Sequence, residues 1–289
     1  MSDYLSSVDF ENFGPIKKGT LKLTRLHALI GPNDSGKSWT LRGLGEQDSR
    51  ASPFIRSIQG GRSIAPGSGW PRTRTLRLDP DFLRQGARLI MEGAPLDFSN
   101  ERGTGLGALL DAVFARNVRD YLALEAEFKQ LFPTVDGFRL HTDGSGNRRV
   151  GIRLFDGSEV PAEFMSEGML YFLAFAILPY LSPVGLILVE EPENGLHPSR
   201  IAEVMRVLRK ISETTQVVLA THSPLVVNEL KPDEVTLVTR TKEAGTTFTP
   251  ITETPNFKRR SDAYALGELW LNYADGIAEA PLFKTNGAA

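Results

Sequence analysis

The sequence contains no cysteine, which excludes disulfides, thiolate metal centres and cysteine nucleophiles and suits a reducing compartment. It also lacks an excess of either charge. Lys and Arg total 33 against 35 Asp and Glu, a net charge of −2. An obligate nucleic-acid binder carries a global basic balance, so any such contact here has to be local. The first thirty residues show no basic start followed by an apolar run, so no secretory signal is expected and the cytoplasm is the expected compartment. Long uncharged runs are scarce. The one that stands out, MLYFLAFAILPYLSPVGLILV at 169–189, is long enough to cross a bilayer. Pro179, Pro183 and Gly185 divide it into a helix, a turn and a strand of the kind a soluble core buries. What the chain does have is length and apolar content: 289 residues, 41% hydrophobic, enough for one large α/β domain or two small ones.

Patterning along the chain predicts an α/β fold. DYLSSVDFENFGPIKKGTLKL reads as short strands around a Gly-Pro turn, and LHALI at 26–30 as a buried strand running into a glycine loop and a helix. From 46 to 105 the composition shifts to Arg, Gly, Ser and Pro, and residues 106–132 carry apolar positions at helical spacing. The stretch 46–132 therefore reads as an inserted lid or arm, loop-rich first and then one helix. Hairpin strands follow to about 164. After the strand at 186–189 come a helix at 199–211, the strand QVVLA, a short helix after THSP, the strands EVTLV and TTFTP, and a final helix from Ser261.

The strongest local signal is GPNDSGKS, which fits G-x-x-x-x-G-K-[ST] at every fixed position. Strand before and helix after are the context a phosphate loop requires, because backbone N–H groups and the helix N-terminus then face the ligand. The binding positions are Gly31, Pro32, Asn33, Asp34, Ser35, Gly36, Lys37 and Ser38, with Trp39 following. Lys37 is expected on the β- and γ-phosphate oxygens and Ser38 on Mg2+. The competing reading is a glycine turn closing an ordinary strand-helix unit.

LILVEEPENGLHP at 186–198 ends an aliphatic strand in two carboxylates, where a parallel sheet collects ligands. Adjacent carboxylates repel unless a cation or proton lies between them. Glu190 is assigned to the metal, through a water, and Glu191 to orienting and deprotonating the water that attacks the γ-phosphate; a solvated strand cap is the alternative. Ser166 and Gly168 in MSEGM precede a helix and offer either an anion cradle or a plain N-cap. In THS, His222 follows a strand and can face the same crevice and contact the γ-phosphate, or be a polar strand end. His197 is read as shaping the ENGLHP turn, and His27 and His141 as structural.

The order GPNDSGKS, a long insertion, SEG, LILVEEPENGLHP and THS resembles that of the ABC-type ATPases, most closely the soluble branch related to RecF, SMC proteins and the overcoming-lysogenisation-defect ATPases. The resemblance covers nearly the whole chain, so residues 1–289 are expected to form one ATPase head, a P-loop NTPase with a mixed β-sheet flanked by helices. It implies ATP and Mg2+ bound between two head-to-tail protomers, with Ser166 and Gly168 completing the opposite site and Asn194 in the turn that crosses the interface. Two departures stand out: SEG replaces the longer leucine-serine-glycine-glycine form, and the Mg2+-sensing glutamine is open among Gln47, Gln59 and Gln85. No adenine-stacking aromatic is identified, and no nuclease cluster follows the core. The expected function is an ATPase subunit that dimerises around Mg-ATP and controls a separate effector, such as a nuclease in anti-phage defence or DNA processing. Alternatives are a stand-alone DNA-repair or DNA-binding ATPase touching phosphates through PRTRTLR, NRRVGIR and KRR, a transporter's nucleotide-binding subunit, and a switch that binds ATP but hardly hydrolyses it.

Overall fold

The computed structural model describes residues 4–45, 70–254, 257 and 265–269, and the backbone of 55–59 and 62–64. In chain order the elements are β1 (Leu5–Phe13), β2 (Ile16–Lys22), β3 (Leu26–Ile30), α1 (Lys37–Gly45), β4 (Ile55–Gln59), β5 (Arg62–Ile64), β6 (Thr73–Leu76), α2 (Pro80–Leu83), α3 (Leu106–Arg116), α4 (Val118–Leu131), β7 (Val135–Thr142), β8 (Arg148–Leu154), β9 (Glu159–Pro161), α5 (Glu167–Ala176), β10 (Leu186–Glu190), α6 (Pro198–Ser212), β11 (Gln216–Thr221), α7 (Pro224–Asn228), β12 (Val235–Thr241) and β13 (Gly245–Pro250). They fall into two units: Met1–Thr75 with Val184–Glu193 and Leu208–Ala289, and Leu76–Pro183 with Asn194–Val207. This is the mixed α/β architecture expected of a P-loop ATPase head.

The first unit holds a six-stranded sheet in the order β13-β12-β3-β11-β10-β6. β10, β11, β3 and β12 are parallel, and β13 returns antiparallel. β3 and β11 are buried along their whole length and β10 up to Val189, which is why their sequences read as unbroken aliphatic runs. Register aligns their ends: Glu190 pairs with Ala220, and Thr221 with Ile30. A second, antiparallel sheet runs β2-β1-β4-β5. Leu5, Val8, Phe10, Phe13, Leu188 and Val218 belong to one buried cluster, each worth roughly 1.5–3 kcal/mol when fully buried. Gln216 ties the sheets together, its side chain accepting from Leu5 N and donating to the carbonyls of Leu5 and Thr24.

The second unit packs α2, α3, α4 and α5 with the antiparallel sheet β7-β8-β9. Phe128 is its aromatic centre, with ring centroids 4.6 Å from Phe132, 5.0 Å from Phe138 and 6.2 Å from Phe172. The single helix expected over 106–132 is two. Asn117 breaks it, extended at φ −153° and accepting from Arg119 N to cap α4, a competition with helix that asparagine wins at such a position. The stretch 169–189 divides as its prolines and glycine require, and among the described residues no helix is long and apolar enough to cross a membrane. Gln47, the KRR cluster at 258–260 and most of the expected final helix lie outside the described residues; 266–269 are helical.

Candidate functional site

The phosphate-loop sequence forms the turn between β3 and α1, and its conformation explains its residues. Asp34 and Gly36 have φ of 63° and 108°, and only glycine reaches the latter comfortably. A Cβ on Gly31 would run into the carbonyl oxygen of Val238 on β12, and one on Gly36 into Thr246 Oγ1 on β13. Thr246 in turn donates to Ser35 O at 2.8 Å, so β13 buttresses the loop from behind. Thr40 Oγ1 donates to Gly36 O and closes the first turn of α1.

The loop's working groups face one place. Lys37 Nζ donates to the carbonyls of Gly31 and Pro32, at 2.7 and 2.9 Å. Burial holds its ammonium below the ordinary lysine value, against the raising pull of Glu191, Glu190, Glu193 and Asp34. Ser38 Oγ donates to Glu190 Oε1. Trp39 is exposed and turns away onto Gly14 and Phe13. Beyond Pro32–Ser35 opens a cavity of about 590 Å3, walled by Gly14, Pro15 and Lys17 of the β1–β2 turn and by Arg240, Thr241 and Lys242 leading out of β12.

The second cluster stands at the ends of β10 and β11. Glu191 adopts φ 50°, a left-handed conformation uncommon for a residue with a side chain, and its amide donates to Ala220 O at 2.8 Å. His222 Nδ1 lies 3.3 Å from Glu191 Oε1 and 3.8 Å from Glu193 Oε1. Glu193 Oε1 also accepts from Thr221 Oγ1 at 2.6 Å and His222 N at 3.4 Å. The P-loop, the carboxylate pair and His222, distant in sequence, thus gather in one unit at the carboxyl ends of neighbouring parallel strands.

Ser166, Gly168 and Asn194 belong to the second unit. Ser166 is the N-cap of α5, its hydroxyl accepting from Met169 N at 3.3 Å, and a Cβ on Gly168 would only touch Gly195 O at 3.7 Å. Asn194 is exposed in the turn after β10. His197 Nδ1 accepts from Ser199 N, shaping the start of α6, and His27 is buried between Thr24 and Thr236, burial lowering its pKa to about 4. Gln85 follows α2, and the backbone of Gln59 pairs with Leu5. Sequence reasoning missed Glu193 and Thr246. Glu193 was in view as the third carboxylate of EEPEN; nothing in TTFTP marks Thr246.

These residues fit a magnesium-nucleotide. A hydroxyl and a carboxylate meet as a hard-oxygen pair beside a lysine, and Ser35 Oγ is buried in the loop with no hydrogen-bond partner among the described residues. Among those residues no group of three His, Asp or Glu side chains is arranged to hold a metal ion. Arginines of the NRRVGIR cluster are occupied otherwise: Arg148 pairs with Asp111, Arg149 with Asp143 and Glu163, and Arg153 with Asp136.

A family model described as "AAA domain, putative AbiEii toxin, Type IV TA system" matches residues 61–228, a span that takes in both carboxylates and His222. No curated protein matches the chain. Among solved structures, the chain is similar to an SMC head bound to the C-terminal winged-helix domain of ScpA, at 16% identity over 85% of this chain and 97% of that one, with a TM-score of 0.52. It is likewise similar to the Smc head domain from Pyrococcus furiosus with an extended coiled coil, bound to the C-terminal domain of ScpA, at 14% identity over 86% and 96% and a TM-score of 0.51. At such identities the likeness is one of fold.

Proposed function

The chain belongs to that AAA-domain family and has the fold of the ABC-type ATPase heads of the RecF and SMC branch, and from this premise we propose that it is a cytoplasmic ATPase that closes head-to-tail on a second copy around Mg-ATP. In this reading the whole of 1–289 acts as one head, and the part of 46–132 that belongs to the second unit, from Leu76 on, acts as its arm, β4, β5 and β6 being strands of the first unit's sheets. The observation that carries it is the meeting of Ser38 with Glu190 beside Lys37, one strand away from the Glu191–His222 pair.

Lys37 would exchange the loop carbonyls for phosphate oxygens, and Ser38 and Glu190 would hold the cation. Bound Mg2+ supplies charge neutralisation on the phosphates. Glu191 would orient the attacking water and accept its proton, with His222 holding Glu191 in place. The cavity at Pro32–Ser35 takes the sugar and base. Ser166, Gly168 and Asn194 serve the partner's nucleotide.

We also propose that the head acts on a separate protein effector, such as a nuclease in anti-phage defence or DNA processing. Support comes from the second unit, where Phe114 near the end of α3 and Val118 and Leu122 on α4 are half-exposed and Phe155 and Phe164 stand out at 66% and 78%. Direct DNA binding has less support, since the NRRVGIR arginines are neutralised within the unit.

The test is solution mass and phosphate release of the wild type and Glu191→Gln, with and without Mg-ATP. Loss of turnover with accumulation of an ATP-dependent dimer in the variant upholds the proposal. Indifference of both proteins to ATP, in mass and turnover, overturns it.

A further inference from the structure

Glu193 has no part in the mechanism so far, yet it is far more enclosed than Glu191, its side chain 9% exposed against 36%. Its Oε1 gathers Thr221 Oγ1 and His222 N, and Thr221 Oγ1 in turn accepts from Ser223 N at 2.9 Å, so the whole THS turn hangs on one carboxylate oxygen. The other oxygen, Oε2, is buried with no hydrogen-bond partner among the described residues. A half-satisfied buried carboxylate is an unfavourable way to tie a turn, and a glutamine of the same shape would do so without a charge to desolvate. The charge therefore has a use, and the group placed to feel it is His222, whose Nδ1 lies between the two carboxylates.

We propose that Glu193 is a positioning residue for His222: it fixes the imidazole with the proton on Nδ1 and provides a second acceptor for that proton's hydrogen bond. With Nδ1–H on Glu191 Oε1, the nearer oxygen, one lone pair of the base is engaged. When the bond shifts toward the Glu193 carboxylate, Glu191 is released to receive the proton of water. A neutral side chain at 193 competes poorly for Nδ1–H and leaves Glu191 alone to hold the tautomer, which is then less firmly fixed. The catalytic consequence rests on the ATPase reading above; the tautomer does not.

The test is Glu193→Gln in the full chain, measured by imidazole 15N spectra without nucleotide and by steady-state phosphate release. Four histidines make the spectra tractable, and His222→Gln identifies the resonance. His222 is expected as the Nδ1–H tautomer in the wild type, shifting toward Nε2–H in Glu193→Gln. Turnover falls about tenfold or more at unchanged KM, the size of effect usual for a residue that orients another, and fluorescent ATP analogue still binds. In the His222→Gln background the same change costs less than about twofold, because its route of action is gone. Should Glu193→Gln fail to fold, Thr221→Val removes the hydroxyl donor while keeping both carboxylates, and must move the same resonances. Unaltered His222 spectra, or a turnover loss that is fully additive with His222→Gln, overturn the proposal. A wild type that releases no phosphate but shows the tautomer shift overturns the ATPase reading and leaves the positioning role standing.

Discussion

The positive φ of Glu191 can be turned into a measurement that separates a catalytic base from a strand cap. At 50° the backbone is left-handed, which costs a residue bearing a Cβ about 1–2 kcal/mol. Glycine removes that cost but loses about 0.5–1 kcal/mol of backbone entropy relative to alanine. At an ordinary site alanine is the more stable substitution; here the sign reverses, and Glu191→Gly should exceed Glu191→Ala by about 0.5–1 kcal/mol. Both variants lose the His222 contact equally, so their difference isolates the backbone. For a domain of this size that is a gap of about 1–4 °C in midpoint, resolvable by urea or thermal unfolding. Both lose hydrolysis by about 100- to 10,000-fold if Glu191 is the base. A protein that tolerates such strain at a residue it could replace with glycine retains it for the side chain. The reasoning is refuted if Glu191→Ala is the more stable of the two, or if either variant keeps turnover near wild type.

The other expectations concern the loop and the core. Gly36→Ala combines about 1–3 kcal/mol of strain at φ 108° with displacement of Thr246 from Ser35 O, so affinity for a fluorescent ATP analogue should fall about 10- to 100-fold, partly restored by Thr246→Ala. Lys37→Met removes a charged donor worth about 1.5–3 kcal/mol and should weaken the same binding about 10- to 150-fold with little change in the far-UV spectrum; unchanged affinity would remove Lys37 from the phosphate site. His27 has a folded-state pKa of about 4, below its ordinary 6.5, so its neutral burial contributes full stability above pH 6.5 and loses it as pH falls toward 4. At 1.36 kcal/mol per unit that is about 3 kcal/mol in all, and pH-dependent urea unfolding of His27→Gln should be flatter than the wild type by that amount across this window.

Much of the site was legible because it is made of local patterns. A glycine loop between strand and helix declares itself through spacing, and the Gly36 and Gly31 positions turn out to be glycine for reasons of space and φ that the motif encodes. EEPEN and THS were read by one rule, that ligands collect where parallel strands end, and the register of β10, β11 and β3 brings those strand ends level with one another. What was not legible depends on contacts between distant segments. Asn117 breaks a stretch that keeps helical spacing on both sides, because the apolar pattern runs through a cap that only local hydrogen bonding reveals. Thr246 buttresses the loop from an antiparallel edge strand whose sequence carries no motif. The arginines of NRRVGIR read as a basic patch until Asp111, Asp136, Asp143 and Glu163 are found beside them.

Under the proposed ATPase reading, the strand order also divides the labour of the site. Strands lie about 4.8 Å apart, so the end of β3 and the end of β10 are separated by about 10 Å, with β11 between them. Groups suited to holding phosphate, the loop amides and Lys37, stand on the β3 side. Groups suited to acting on water, Glu191 and its neighbours, stand on the β10 side. Ser38 bridges the two from α1 by reaching Glu190. β11 then has to carry whatever connects the phosphate end to the water end, and what it carries is Thr221 and His222, one fastened to Glu193 and the other set between both acidic side chains. A perturbation on the phosphate side that moves the end of β11 therefore reaches Glu191 through His222 without any change in β10 itself.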